Sequence, residues 1–207
     1  MTGNPGTVPP SRTLKLTQRA LTVFGVLALG YCAAVFLEAK LYQIRKSKAF
    51  ASQLRRKQAD KPAQVNSVAP VPALEKHGVL ARLEIPRLGL TVMVVEGVDD
   101  VDLKRAAGHI PGTALPWDGG NVGIAGHRDT FFRALHAIQR DDTITVSALR
   151  GMYRYLVVST SVVSPQDVQV LYPTERDSLT LVTCFPFEYV GSAPKRFIVR
   201  AERATGM

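Results

Sequence analysis

The chain is predicted to fold as an all-β domain, a closed or nearly closed barrel with short helices, preceded by one N-terminal transmembrane helix. Three observations carry that prediction. From Gly78 onward the sequence breaks into seven short runs rich in β-branched and aromatic residues, separated by turn clusters. No long amphipathic helix lies between successive runs, which argues against an α/β layered fold and for a sheet closed on itself, without exposed edges. Ahead of them stands Ala20 to Leu37, 18 residues without a charge, bounded by Arg19 and Glu38.

The elements follow in order. Residues 1–11 (MTGNPGTVPPS) are polar and rich in Pro and Gly and read as a disordered part of the tail, 1–19, ahead of the span. Residues 20–37, at about 1.5 Å per residue, reach roughly 27 Å, enough to cross a bilayer once. A buried soluble helix and a cleavable signal peptide are the alternatives, but the run is apolar on all sides and continues past the small-residue stretch Ala28-Leu29-Gly30, which favours an uncleaved anchor. Cys32 follows Tyr31 where lipid attachment would need a small residue, so it reads as a membrane-buried apolar side chain. Residues 38–77 form a basic helix to about Gln58 and then a Pro-containing linker, 59–77, that lifts the domain off the membrane. The predicted strands are Val79–Ile85, Leu90–Val95, Asn121–Ala125, Thr143–Ser147, Tyr153–Val163, Ser178–Cys184 and Arg196–Ala201, with helical candidates at Asp100–Ala106 and Thr130–Ile138.

Charge distribution excludes one class of function. The formal charge of +9 over 207 residues resides in residues 1–61, which hold 11 Lys/Arg against 2 Asp/Glu, whereas residues 62–207 hold 15 of each. A neutral globular part has no electrostatic footprint for phosphate backbones, so nucleic acid is not an expected partner. Membrane lipid is. The flanking Lys/Arg, three before the span and seven after it, would by themselves put the C-terminal side in the cytoplasm, although long domains translocate despite charge. No Cys or His pair has zinc-ligand spacing, and Asp99, Asp100 and Asp102 read as a solvated loop, so neither metal nor cofactor is expected.

Candidate chemistry centres on Cys184, the only cysteine outside the apolar run. It closes the strand Thr180-Leu181-Val182-Thr183-Cys184, and Arg196 opens the next strand after a loop with Pro186, Gly191 and Pro194. If those strands pair antiparallel, Cys184 and Arg196 meet across the loop mouth. The competing Arg200 would lie roughly 13 Å farther along the same face. His127 ends another strand after Gly126, at a rim where the three could converge. A thiolate attacks, an imidazole moves the proton of the leaving and incoming amines, and a permanently cationic guanidinium stabilises an oxyanion or substrate carbonyls. Thr183 either hydrogen-bonds the substrate or positions Cys184. Each residue also has a plain structural role, but a lone thiol in an oxidising compartment without a purpose would be a liability.

The segments Gly123-Ile124-Ala125-Gly126-His127-Arg128-Asp129-Thr130-Phe131-Phe132-Arg133, Thr180-Leu181-Val182-Thr183-Cys184 and Ala193-Pro194-Lys195-Arg196-Phe197 resemble those of sortases, most like class D, over about residues 78–203. The resemblance implies an eight-stranded β-barrel, a cysteine transpeptidase that cleaves a Leu-Pro-x-Thr-Gly-like (LPxTG-like) sorting signal after Thr, forms a thioester on Cys184 and passes the acyl group to an amine. It implies Cys184 as nucleophile, His127 as general acid/base and Arg196 as substrate or oxyanion stabiliser. Its expected partners are secreted proteins bearing the sorting signal and an acceptor such as a peptidoglycan precursor or pilin lysine. It also implies a single-pass protein with the catalytic domain extracytoplasmic. The segment Gly108-His109-Ile110-Pro111-Gly112-Thr113 resembles the family too, but His109 and His136 are expected to be turn or surface histidines. A Cys-based phosphatase would need Arg at position 190, which is Val. A cell-wall L,D-transpeptidase would need a different residue cluster around its cysteine, and a membrane-tethered β-barrel binding module is the non-enzymatic alternative.

Overall fold

The computed structural model describes residues 12–59 and 77–204; the expected tail at 1–11 and nearly all of the expected linker lie outside the described residues. A single helix, α1 (Arg12–Ala59), joins the expected span and the expected basic helix. The chain divides into two compact units, Met1–Lys40 and Leu41–Met207. In the first, Leu21, Phe24, Leu27, Leu29 and Tyr31 are exposed all round the helix, which is long and apolar enough to cross a membrane.

In the second unit, the C-terminal part of α1 packs by one face against strand residues. Phe50 is buried, the Gln43 side-chain amide donates to the Arg105 carbonyl at 2.6 Å, and its oxygen accepts the Met93 N–H at 2.9 Å. Arg45, Lys46, Lys48 and Arg55 stay exposed. Residues 41–59 are thus part of the barrel's own compact unit.

Eight strands, β1 (Val79–Ile85), β2 (Leu90–Glu96), β3 (Ala107–His109), β4 (Asn121–Ala125), β5 (Thr143–Ala148), β6 (Gly151–Val163), β7 (Ser178–Phe185) and β8 (Lys195–Arg203), close into a barrel. Their order is β1-β2-β3-β4-β7-β8-β6-β5. All neighbours are antiparallel except β2–β3 and β4–β7. Alternate residues fill the interior: Leu83 and Ile85 from β1, Val92 and Val94 from β2, Leu179 and Leu181 from β7, Val199 and Ala201 from β8, joined by Tyr155 and Phe132. Burial of each large side chain contributes about 1.5–3 kcal/mol, and this layer holds the barrel together.

Several expectations change. The helical candidate Asp100–Ala106 is a single turn, α2 (Asp100–Leu103), and Thr130–Ile138 yields only a 3-10 helix at Arg133–Ala137. Asp102 is not part of a solvated loop: it is buried, and His77 Nδ1 lies 2.8 and 2.9 Å from its two carboxylate oxygens. His109 is neither a turn nor a surface residue. It sits in β3 at 2% exposure, with Nδ1 2.7 Å from Glu96 and Nε2 3.0 Å from the Ala114 carbonyl, because a buried imidazole has to satisfy both nitrogens. His136 is exposed, as expected.

Candidate active site

The register of three neighbouring strands builds the site. β7 alternates, so with Leu179, Leu181 and Thr183 turned toward the interior, Cys184 falls on the outward face at the strand's end. Directly opposite on β8 stands Arg196, and Phe185 faces Lys195 at the mouth of the hairpin. On the other side β4 runs parallel to β7, with Ala125 beside Val182. The pairing continues past the formal strand end, since the Gly126 N–H donates to the Val182 carbonyl at 3.1 Å. Two residues beyond the pair Ala125 and Val182, the same register brings His127 level with Cys184. The structure therefore brings Cys184, His127 and Arg196 to the same end of three adjacent strands, each partly exposed, and the thiol is free.

Local packing explains why His127 emerges where it does. Thr183, 2% exposed, donates its hydroxyl to the Gly126 carbonyl at 2.7 Å. A Cβ on Gly126 would stand 2.8–3.0 Å from ring atoms of the fully buried Phe132, so only glycine fits this close approach. The Phe132 N–H in turn donates to the His127 carbonyl at 3.0 Å. The backbone before and after the imidazole is thus fixed to the core. The Thr183 hydroxyl lies on the face opposite the thiol and is bonded to Gly126, so it ties down the chain before His127, a role different from both expected ones.

Arg196 turns its guanidinium back along its own loop, with Nη1 donating to the carbonyls of Ala193 at 3.2 Å and Lys195 at 3.0 Å. Arg200 is paired with Thr180, not Cys184, and donates to the Val170 carbonyl at 2.8 Å. Burial pushes its guanidinium below the usual arginine range. It anchors the segment between β6 and β7 instead of reaching the thiol.

Three features went unnoticed in the sequence. Asn121, 2% exposed, donates to the Val170 and Tyr172 carbonyls at 3.1 and 3.2 Å and accepts from the hydroxyls of Thr180 at 2.7 Å and Ser178 at 3.2 Å. Every hydrogen-bonding valence of its amide is used. An aromatic group beside the hairpin mouth contains Phe185, Phe187 and Phe197, with Phe187 and Phe197 edge-on at 5.2 Å and His136 edge-on to Phe187 at 6.1 Å. Its signal was the Phe185-Pro186-Phe187 run following the cysteine. Arg128, next to His127, reaches across to the loop between β7 and β8.

As to metals, His77, Asp99 and Asp102 bring ligand-type atoms within 4.8 Å of one another. Both Asp102 oxygens already lie at hydrogen-bond distance from His77 Nδ1, so the group fits a structural hydrogen-bonded pair.

Comparison with known proteins agrees with this architecture. Residues 83–204 match the family model described as Sortase domain. The chain is 36% identical over 124 residues to Sortase D of Bacillus subtilis (strain 168), covering 59% of this chain and 63% of that protein, so the match spans a little under two thirds of that relative's length. Among solved structures, a Clostridium perfringens Sortase D5 transpeptidase aligns over 81% of this chain and 98% of its own with TM-score 0.62 at 23% identity. Sortase A from Corynebacterium diphtheriae, a lid mutant, aligns over 77% of this chain and 94% of its own with TM-score 0.60 at 26% identity. With its closed eight-stranded barrel and a family match over most of its length, this chain belongs to the sortase family.

Proposed function

We propose that the protein is a membrane-anchored cysteine transpeptidase acting on an LPxTG-like sorting signal. The observation that carries the reading is that strand register puts Cys184, His127 and Arg196 at the same end of β4, β7 and β8, and the family match supports it. Cys184 passes its thiol proton to His127 and attacks the carbonyl carbon of the signal's Thr, and the tetrahedral oxyanion is stabilised by Arg196 once its guanidinium swings from the Ala193 carbonyl to the substrate. His127 protonates the departing amine, leaving a thioester on Cys184. The same imidazole then takes the proton of an incoming amine, which attacks the thioester, forms the new amide and frees the thiol. Thr183 acts as a positioning residue, holding Gly126 and hence His127 beside the nucleophile. The proposed substrates are secreted proteins with the sorting signal, and the acceptor is an amine of a peptidoglycan precursor or a pilin lysine.

Residues 20–37 form the anchor, with 1–19 cytoplasmic and the barrel outside the cell membrane. An extracellular substrate requires this orientation, and the translocation of long domains permits it against the flanking charge. The test uses the full chain in detergent micelles with a panel of fluorogenic sorting peptides and an amine. Cleavage and amide formation are expected, both abolished by Cys184→Ala, with an acyl adduct on Cys184 by mass spectrometry. Absence of cleavage across the panel and of any adduct would favour a tethered binding module.

A further inference from the structure

The loop of residues 186–194 carries the hairpin from Cys184 to Arg196, and its own composition holds it weakly. Val190 is 95% exposed, and Gly191 has φ +93° with open space around it. From the His127 side, two arginines reach it. Arg133 pairs with Glu188 at 3.2 Å, but both side chains are more than half exposed, and such a pair contributes little. Arg128 does more: its Nη2 donates to the Tyr189 carbonyl at 2.7 Å and to the Gly191 carbonyl at 2.8 Å, with its guanidinium carbon 6.0 Å from the centre of the Tyr189 ring. These are charge-assisted bonds to two backbone groups on either side of Val190.

Two residues beyond Gly191 is Ala193, whose carbonyl accepts from Arg196 Nη1. Arg128 is therefore bonded at one end to the backbone that bears His127, and at the other to the loop that aims Arg196. We propose that Arg128 is a positioning residue for the transfer reaction, clamping this loop so that the Arg196 guanidinium swings to the substrate from a fixed starting point on the Ala193 carbonyl. The inference rests on the transpeptidase reading above. Without the clamp, the Tyr189 and Gly191 carbonyls are rehydrated, so the fold loses little while the alignment of Arg196 is lost.

The experiment compares wild type, Arg128→Met and Arg128→Lys in the full chain in detergent. It measures peptide cleavage, hydrogen exchange over residues 187–193, thermal unfolding and the rate of Cys184 alkylation by iodoacetamide. In Arg128→Met the loop amides should exchange faster and kcat should fall about tenfold, with KM changed by less than about twofold, as expected for loss of alignment at the reacting centre. Unfolding temperature and alkylation should stay at wild-type values. Arg128→Lys should recover most of kcat, because a single nitrogen carries both bonds and an ammonium has donors for both. Unchanged kcat in a variant whose loop has been released would overturn the proposal, as would a loss of kcat matched by lower thermal stability. If wild type cleaves no peptide, the transpeptidase reading fails by itself. The exchange data still decide the clamp, and loop amides as protected in Arg128→Met as in wild type would refute it.

Discussion

Replacing Asn121 by leucine should unfasten the segment between β6 and β7 at a cost of about 1–3 kcal/mol. The substitution keeps the branched shape and heavy-atom count and opens no cavity, so the cost comes from lost hydrogen bonds and from the extra bulk of two methyl groups. Four bonds disappear, but their consequences differ. The Val170 carbonyl keeps Arg200 at 2.8 Å, and the Ser178 hydroxyl keeps Thr174 at 2.8 Å. Tyr172 is exposed, so its carbonyl finds water. The Thr180 hydroxyl, at 0% exposure, retains only a marginal contact of 3.5 Å to the Val170 carbonyl and carries most of the penalty. For a barrel of this size, about 2 kcal/mol corresponds to a fall in unfolding temperature of roughly 5–10 °C. Urea unfolding of the full chain in detergent, for Asn121→Leu, Thr180→Val and the double variant, isolates the term. The double variant should be less destabilised than the sum of the singles by about 1 kcal/mol. A cost below about 0.5 kcal/mol with strict additivity would refute the reasoning.

Three further outcomes follow from the same geometry. Gly126→Ala should destabilise the barrel by about 1–3 kcal/mol through the clash with Phe132, measured by thermal unfolding, and should depress peptide cleavage further by displacing His127. Thr183→Val should cost about 1–2 kcal/mol in urea unfolding, since the Gly126 carbonyl loses its donor. In acid, the Arg87 hydrogen bond and the Gln139 N–H hold the Asp142 carboxyl below its usual range, as Arg203 and the Gly120 N–H do for Asp177. Depressed folded values mean that this stabilisation is complete above the unfolded carboxylate value of about 3.9 and is lost as pH falls through the folded values. Unfolding followed across that range should show a slope that flattens in Asp142→Asn and Asp177→Asn.

The strands that were legible in the sequence are those with enough alternation to declare a face. β1 and β4 end where the pattern ends, and the edges of β6, β7 and β8 extend it by one or two residues. β3 was invisible because three residues with glycine in the middle show no period, and all three are buried. Missing it meant placing His109 in a turn, since the flanking Gly108 and Pro111 spoke louder than the strand. The pairing of Cys184 with Arg196 across the hairpin was readable from antiparallel hairpin logic. For His127 the sequence showed a strand end at a rim, but what sets that end beside β7 is β4 running parallel to it from 53 or more residues away, and no local signal encodes that pairing. Arg128 and Asn121 escaped notice because each donates to two backbone carbonyls distant in sequence, which leave no mark in side-chain composition. Asp102 looked solvated because a carboxylate in a polar run usually is, and its histidine partner lies 25 residues upstream.

The thiol projects from the outside of the sheet while its strand neighbours Leu181 and Thr183 seal the inside. Chemistry and architecture thereby draw on opposite sides of one strand. Side chains around the thiol can be exchanged without reopening the dry centre of the barrel, so the scaffold tolerates a change on its outer face more readily than a change of core.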